Sequence, residues 1–569
     1  MKRISFVASA GVVAVLGVGL AGQTGRAGQT SAAPADLVLR NGRIVTVDDA
    51  KPEGQAIAVA AGKITFVGTN AEIQRYVGAK TQIIDLQGQL AIPGFIEGHG
   101  HFTGIGAAKL GLELMPTKSW DEIVAMVGEA AKKAKPGQWI VGRGWHQEKW
   151  SSTPTPNVEG FPTHASLDAV SPNNPVKLTH ASGHAAFVNA KALELARITK
   201  DTRNPEGGEI LRDKNGDATG LLRERAAGLV QAGEVGTAEQ ILTMAAQEVM
   251  SKGITSFHDA GVGLRTIDEM KTLMAAGKLD PRLYVMIEGN PALLAANLDK
   301  YRQIGAYDNH LTVRSIKVHF DGALGSRGAW LLEPYADKPD STGLNTAPIP
   351  DFKATAKLAV EHNYQLNTHA IGDRANREML DIYEEAFKNA GLTQAQMRAL
   401  RWRDEHTQHL SLSDIPRFGQ MGIIASMQPI HATSDAPYVL ARLGAKRAEE
   451  GAYVWQKLMK SGAVVSSGTD APVEDVDPIP NYYAAVTRKL ADGSVFFGDQ
   501  KMSRMEALKS YTLSNAFAAF EENTKGSLTP GKVADITVLS KDITKVPDDE
   551  IRSAKVTYTI IGGKVVYKK

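Results

Sequence analysis

The stretch LAIPGFIEGHGHF, residues 90–102, is an apolar run that ends in Gly98-His99-Gly100-His101. Along an extended chain alternate side chains share a face, so His99 and His101 point the same way and their two imidazoles can hold one cation. An HxH pair alone is weak evidence. It gains weight if further ligand-type residues follow at the ends of other strands, because a parallel barrel keeps its chemistry at the carboxyl ends of its strands.

Working outward, short β-branched runs alternate with Ala/Leu/Glu/Lys stretches of helical period from Gln89 to about Glu522. That rhythm predicts repeated βα units and a closed (β/α)8 barrel over 89–525. Candidate strands are Ala91 to Glu97, Val176 to His180, Ile254 to Asp259, Leu283 to Glu288, Thr312 to Phe320, Gln365 to His369, Arg401 to His406, Ile423 to Gln428 and Ala463 to Thr469. They number one more than a barrel needs. Val176 to His180 is therefore assigned to an insertion at about 110–245, which is Pro/Gly-dotted and lacks the rhythm. The two ends of the chain differ again. Residues 35–49 (ADLVLRNGRIVTVDD), 55–70, 534–542 and 556–567 are alternating strands punctuated by Asn-Gly, Ala-Gly or Gly-Gly, as in hairpins. Short strands are marginal alone, so residues 36–88 and 526–569 are expected to pair into one composite β-sandwich.

Four more chemistry-bearing residues follow the histidine pair in order: Lys317 in RSIKVHFDGALGSR, His369 in YQLNTHAIGDRAN, His406 in RWRDEHTQH and Asp470 in AVVSSGTDAP. With IPGFIEGHGHF, GRGWHQEKW, GITSFHDAG and SSGTDAPV around them, the chain resembles the amidohydrolase superfamily. Specifically it is similar to the amidohydrolase-3 branch that includes N-substituted formamide deformylase-like proteins. The resemblance covers nearly everything after the first thirty-odd residues. Glu97 departs from the Asp usual before the HxH; because it precedes the ligands, it is not expected to affect metal binding.

The resemblance implies a metal-dependent (β/α)8 hydrolase of non-peptide carbon–nitrogen bonds, with linear amides such as N-substituted formamides or N-acyl compounds as substrates. His99, His101 and Asp470 would hold one divalent ion, and His369 and His406 a second. Lys317, carboxylated by carbon dioxide, would bridge them. Asp470 would be the general base toward a hydroxide activated by the metal. Imidazole and carboxylate ligands suit zinc, iron, manganese or nickel, with zinc the default. Substrate contacts are expected from His184 and His180 (THASGHAAFVN), from Trp145 and His146 (GWHQEKW, with Trp150 beside them) and from Arg327, with packing or capping as the plain alternative for each. His258, Asp259 and Asp373 are candidates for orienting others, and His319 and His409 for supporting or surface roles. Three alternatives stay open: a mononuclear site, action on cyclic amides, lactones or esters, and a non-catalytic binding or regulatory barrel.

Composition sets the outer limits. The 569 residues are 43% hydrophobic and 22% charged, which describes an ordinary globular chain, and the net charge of +2 offers no excess for nucleic-acid phosphates. Cys is 0, so any metal must be held by nitrogen and oxygen. Lys2 and Arg3 lead into an apolar run from Phe6 to Leu20 and then a small-residue stretch, which reads as a signal peptide over 1–33 and predicts a periplasmic or secreted protein. The run is shorter than the ~20 residues that span a bilayer. The partner that the resemblance implies is a small-molecule amide, and a second copy in a homodimer stays open. Neither nucleic acid nor, after cleavage of the leader, a membrane is expected.

Overall fold

The computed structural model describes residues 33–233 and 236–569. The expected signal peptide therefore lies almost wholly outside the described residues. Among those described, no helix is long and apolar enough to cross a membrane.

Eight parallel strands form the centre: Phe95–Gly100, Ile254–Val262, Arg282–Glu288, Leu311–His319, Gln365–Ala370, Arg403–His406, Ile424–Met427 and Val465–Ser467, each hydrogen-bonded to the next. This is the expected barrel, with helices such as Leu264–Ala275, Ile349–Glu361 and Asp373–Asn389 around it. Most strands are buried along their length, which explains their continuous apolar runs.

The first and last strands do not share a regular ladder. Their junction is stapled by the side chain of Asn515, whose Nδ2 donates to the carbonyls of Ile96 (2.6 Å) and Ser467 (2.8 Å). It is tightened further by Asp470 N–H donating to His99 O (2.8 Å) and His101 N–H to Ala471 O (2.7 Å). The loops carrying the two histidines and the aspartate are thus bonded directly to one another.

The expected strand Ala91 to Glu97 divides at Gly94. Leu90–Pro93 pairs antiparallel with Ile536–Leu539 in a terminal sheet, while Phe95 onward enters the barrel. A Cβ at Gly94 would meet Thr255 Oγ1 at 2.2 Å, so only glycine permits the handover. The second terminal sheet, Lys63–Gly68, Ala56–Ala60, Leu37–Arg40 and Gln82–Asp85, packs on the first through Leu37, Leu39, Ile57, Ile64, Ile536 and Val538. Two-residue turns with both φ positive close hairpins at Ala61-Gly62 and Gly562-Gly563, as such turns require.

Between the first and second barrel strands lies a separate mixed sheet, ordered Gly208–Arg212, Ala218–Glu224, Ala185–Val188, Val176–His180, Ile140–Trp145 and Leu112–Glu113. It has its own core of Trp120, Trp145, Leu178 and Phe187. The following helix, Ala238–Ser251, contributes Leu242, Ala245 and Val249 to the barrel core.

Candidate active site

At the mouth of the barrel the ends of six strands bring ligand-type side chains together. His99 and His101 lie 3.5 and 3.2 Å from Asp470 Oδ1 through their Nε2 atoms. The rings of His99 and His406 are 4.6 Å apart and those of His406 and His369 4.4 Å, so the histidines form a continuous arc. Lys317 is buried beneath them and shares a cavity wall with His101. Two sets of three donors lie within cation-binding reach: His99, His101 and Asp470, and His406, His431 and Asp470. His369 belongs to neither set; its Nε2 is 3.4 Å from Asp321 Oδ1.

Electrostatics favour a cation here. Burial, with the neighbouring Lys317 and histidines, holds His99 well below its ordinary range, and burial likewise lowers His369 and takes His406 down to about 3. These imidazoles are therefore neutral near pH 7, the form that ligates metals. Burial would raise the Asp470 carboxyl, but the close approach of His101, with His99 and His406 beside it, outweighs burial and holds it well below the usual carboxylate range. Lys317 is also lowered by burial. His99 Nε2, His369 Nε2, His431 Nε2 and Lys317 Nζ are all buried without a hydrogen bond. Buried polar atoms are normally satisfied, and of these residues His99 and His431 each belong to a donor set around Asp470. The donor set of nitrogen and carboxylate oxygen fits a divalent transition metal.

The surroundings fix each ligand's orientation. His99 Nδ1–H donates to Glu405 in a short hydrogen bond, which leaves Nε2 for a metal. Glu405 is itself held by the fully buried Arg403 (Nε to Oε1, 2.7 Å), whose other donors reach Gly98 O and Ser426 Oγ. Arg403 also lies 3.2 Å from His258 Nδ1. His406 Nδ1 faces Gln428 Oε1 at 2.8 Å, and Gln428 Nε2 donates to Ser426 O, which fixes that amide. Glu97 Oε1 accepts from His99 N–H (3.2 Å) and Thr469 N–H (2.6 Å), tying the first and eighth strand ends together. Burial raises its carboxyl to about 8.

Gly98 and Gly100 do not loosen this turn. Neither has positive φ, and a Cβ would collide with Ser467 O at 2.5 Å or Phe257 Cζ at 2.6 Å. Close approach is what requires glycine. His406 and Asp470, by contrast, carry positive φ of 87° and 59°. Such conformations cost on the order of 1–3 kcal/mol each and cluster at functional sites.

Several residues were not singled out from sequence. Glu405 was hidden by strand alternation, which puts it opposite its neighbour His406 until the left-handed turn at His406 re-aims that ring. His431 lies in the short helix Pro429–Ser434 after the seventh strand, in MQPIHAT, where a Pro at the helix start marks the strand end.

The expected substrate residues separate. His184 faces the site, its ring 4.8 Å from His369 and its Nδ1 2.7 Å from Glu224. His146 lines a small cavity of about 50 Å³ with His184, His369, His406, His431 and Tyr438. A larger cleft of about 730 Å³ opens beside it, lined by His101, Arg143, His184, Lys317, His319 and Asp321 among others. Trp145 is instead in the core of the inserted sheet, with Nε1 donating to Leu178 O, and Trp150 packs beside it. His180 is buried between Trp145 and His146, bonded to Ser182 and Gln147. Arg327 pairs with Asp337 at 2.9 Å and lines a different cavity. Asp259 and Asp373 accept backbone N–H groups of Phe102 and Leu332, and His409 packs on Tyr453.

A parallel barrel with neutral histidines and an ionised carboxylate at its mouth defines a metal-dependent hydrolase in class. Comparison with known proteins agrees: the family model described as Amidohydrolase family matches residues 82–567. The chain belongs to that family, in its amidohydrolase-3 branch. It is 33% identical to Protein LONG AFTER FAR-RED 3 of Arabidopsis thaliana, over 94% of this chain and 92% of that protein. It is 26% identical to N-substituted formamide deformylase of Arthrobacter pascens, over 94% and 98%. Among solved structures, an uncharacterized metal-dependent hydrolase from Pyrococcus horikoshii matches with a TM-score of 0.71 and 25% identity, covering 90% of this chain and 99% of that one.

Proposed function

We propose that this hydrolase cleaves carbon–nitrogen bonds of linear amides, N-substituted formamides or N-acyl compounds in particular, using zinc at the barrel mouth, and that it does so as an exported protein. The observation that carries the reading is the gathering of His99, His101, His406 and His431 around Asp470, the one carboxylate among the described residues within ion-pair distance of both His99 and His101. A divalent metal held by these residues would supply Lewis-acid polarisation and an activated water. The chain supplies the rest. Glu405 and Gln428 hold His99 and His406 in the tautomer that leaves Nε2 free. Asp470, kept ionised, accepts the proton of the attacking water and returns it to the departing nitrogen. Burial shifts Lys317 toward the unprotonated amine, the form that carbon dioxide captures as a carbamate with release of a proton. His184, oriented by Glu224 and facing both cavities, positions the acyl group. The leader-like residues 1–33 support export.

The test is a panel of N-substituted formamides, N-acyl amino acids, cyclic amides, lactones and esters, assayed with metal-loaded, chelated and reconstituted protein. Turnover of linear amides that chelation abolishes and metal restores is expected. Turnover confined to esters or lactones would overturn the proposed bond class.

A further inference from the structure

We infer that Arg143 selects the substrates of the large cleft: given the amide cleavage proposed above, its guanidinium binds a carboxylate on the substrate, so that N-acyl amino acids rather than uncharged formamides are the amides this site takes. Arg143 lies in the strand Ile140–Trp145 of the inserted sheet. Ile140 turns into the core of that sheet, and strand alternation puts Arg143 on the other face, toward the barrel mouth. There Nη2 donates to Ala181 O (3.0 Å) and Nε to Pro472 O (3.3 Å), just beyond Asp470 in the chain. One guanidinium thus joins the loop that leads to His184 with the loop that carries Asp470, and the two carbonyls fix its plane.

A guanidinium carries a fork of N–H donors, and these two carbonyls leave both Nη1 hydrogens and one on Nη2 without a protein partner among the described residues. Other buried arginines are matched: Arg282 has Asp535, Arg403 has Glu405, and Arg442 has Asp337 and Glu148. Arg143 has no such carboxylate among the described residues, yet it lines the cleft together with His101, His184 and Lys317. Carboxylates that share the cleft are engaged elsewhere, Glu224 by His184 and Asp321 by the N–H groups of Ile371 and Gly372. Burial lowers Arg143 to about 10, so it stays cationic near neutral pH. Gly183, at φ 78°, stands beside it, where a Cβ would lie 3.5 Å from Nη2 and 3.7 Å from Nη1, so glycine keeps that end of the fork uncovered. A planar, partly desolvated fork of this kind matches a carboxylate with two parallel hydrogen bonds. In an N-acyl amino acid the carboxylate and the amide nitrogen share a carbon, so one ligand can engage Arg143 while its amide lies toward Asp470.

The test uses matched pairs: N-formyl and N-acetyl derivatives of glycine, leucine and phenylalanine, each as the free acid and as its carboxamide. Binding is read by calorimetry on metal-free protein, where a carboxylate has no metal to bind instead, and kcat/KM is read on the metal-loaded enzyme. The acid is expected to bind about 10- to 100-fold more tightly than its carboxamide, as a charge-assisted pair of hydrogen bonds provides. That preference should vanish in Arg143→Gln and survive in part in Arg143→Lys. Equal affinity for acid and carboxamide in the wild type, or a folded Arg143→Gln protein that keeps the preference, overturns the inference. Should the variants not fold, the wild-type comparison decides alone. Preferential binding of the acids with no hydrolysis of any pair upholds the carboxylate site and sinks the amide reading; hydrolysis without any preference for the acids does the reverse.

Discussion

Where the barrel meets the terminal sandwich, Arg282 lies in a two-pronged pair with Asp535, at 2.8 and 3.1 Å, and its remaining donor reaches Asp308 O. Asp535 also accepts from Gly562 N–H. Both side chains are almost fully buried, and every exchange is local and complete. At the barrel mouth, on the opposite ends of the strands, burial is as deep, yet His99, His369, His431 and Lys317 keep atoms without partners. The same low-dielectric interior is used in two ways. Complete pairing fixes the position of the sandwich; incomplete pairing, backed by Glu405, Arg403 and Gln428, leaves a place for a cation.

The contrast is sharpest under substitution. Asp470→Asn is expected to lower kcat by ~10²–10⁴ in protein that remains folded, because the proton-accepting carboxylate is lost. Steady-state kinetics with calorimetry on the same preparation checks both halves. Asp535→Asn should do the reverse. It strands Arg282 and is expected to cost about 3–5 kcal/mol in denaturant unfolding, with kcat of the folded fraction unchanged. Arg282 holds the Asp535 carboxyl below its ordinary value despite burial. Its contribution is therefore present above that value, 3.8, and lost as pH falls through the lowered one, and a stability-against-pH curve should lose this acid limb in the variant. The smallest effect on the site is expected from Glu405→Gln, which reaches the metal through His99 and also leaves Arg403 without its buried carboxylate: metal affinity should weaken by about 10–100-fold, read by competition with a chromophoric chelator.

The same distinction explains what could be read from sequence. Strand periodicity and ligand-type residues at strand ends are local signals, and they located the barrel strands, at whose ends His99, His101, Lys317, His369, His406 and Asp470 lie. Partnership is non-local. Trp145 and His146 are neighbours in one motif, yet one fills the inserted sheet's core and the other lines the small cavity, because the chain turns between Ile140–Trp145 and the short helix that follows. Glu405 was masked by an alternation rule that the positive φ at His406 suspends. Asn515, the staple of the barrel seam, lies in a helix far along the chain from the first strand it holds. Arg327 and Asp337 are ten residues apart, and only the fold shows that they pair away from the site.

The most direct test of the cation site is metal content by inductively coupled plasma mass spectrometry after loading and exhaustive dialysis, comparing wild type with the double variant His99→Ala, His101→Ala. Stoichiometric divalent metal in the first and its loss in a still-folded second is the predicted result. Wild-type protein that retains no metal, or a double variant that retains as much, would contradict it.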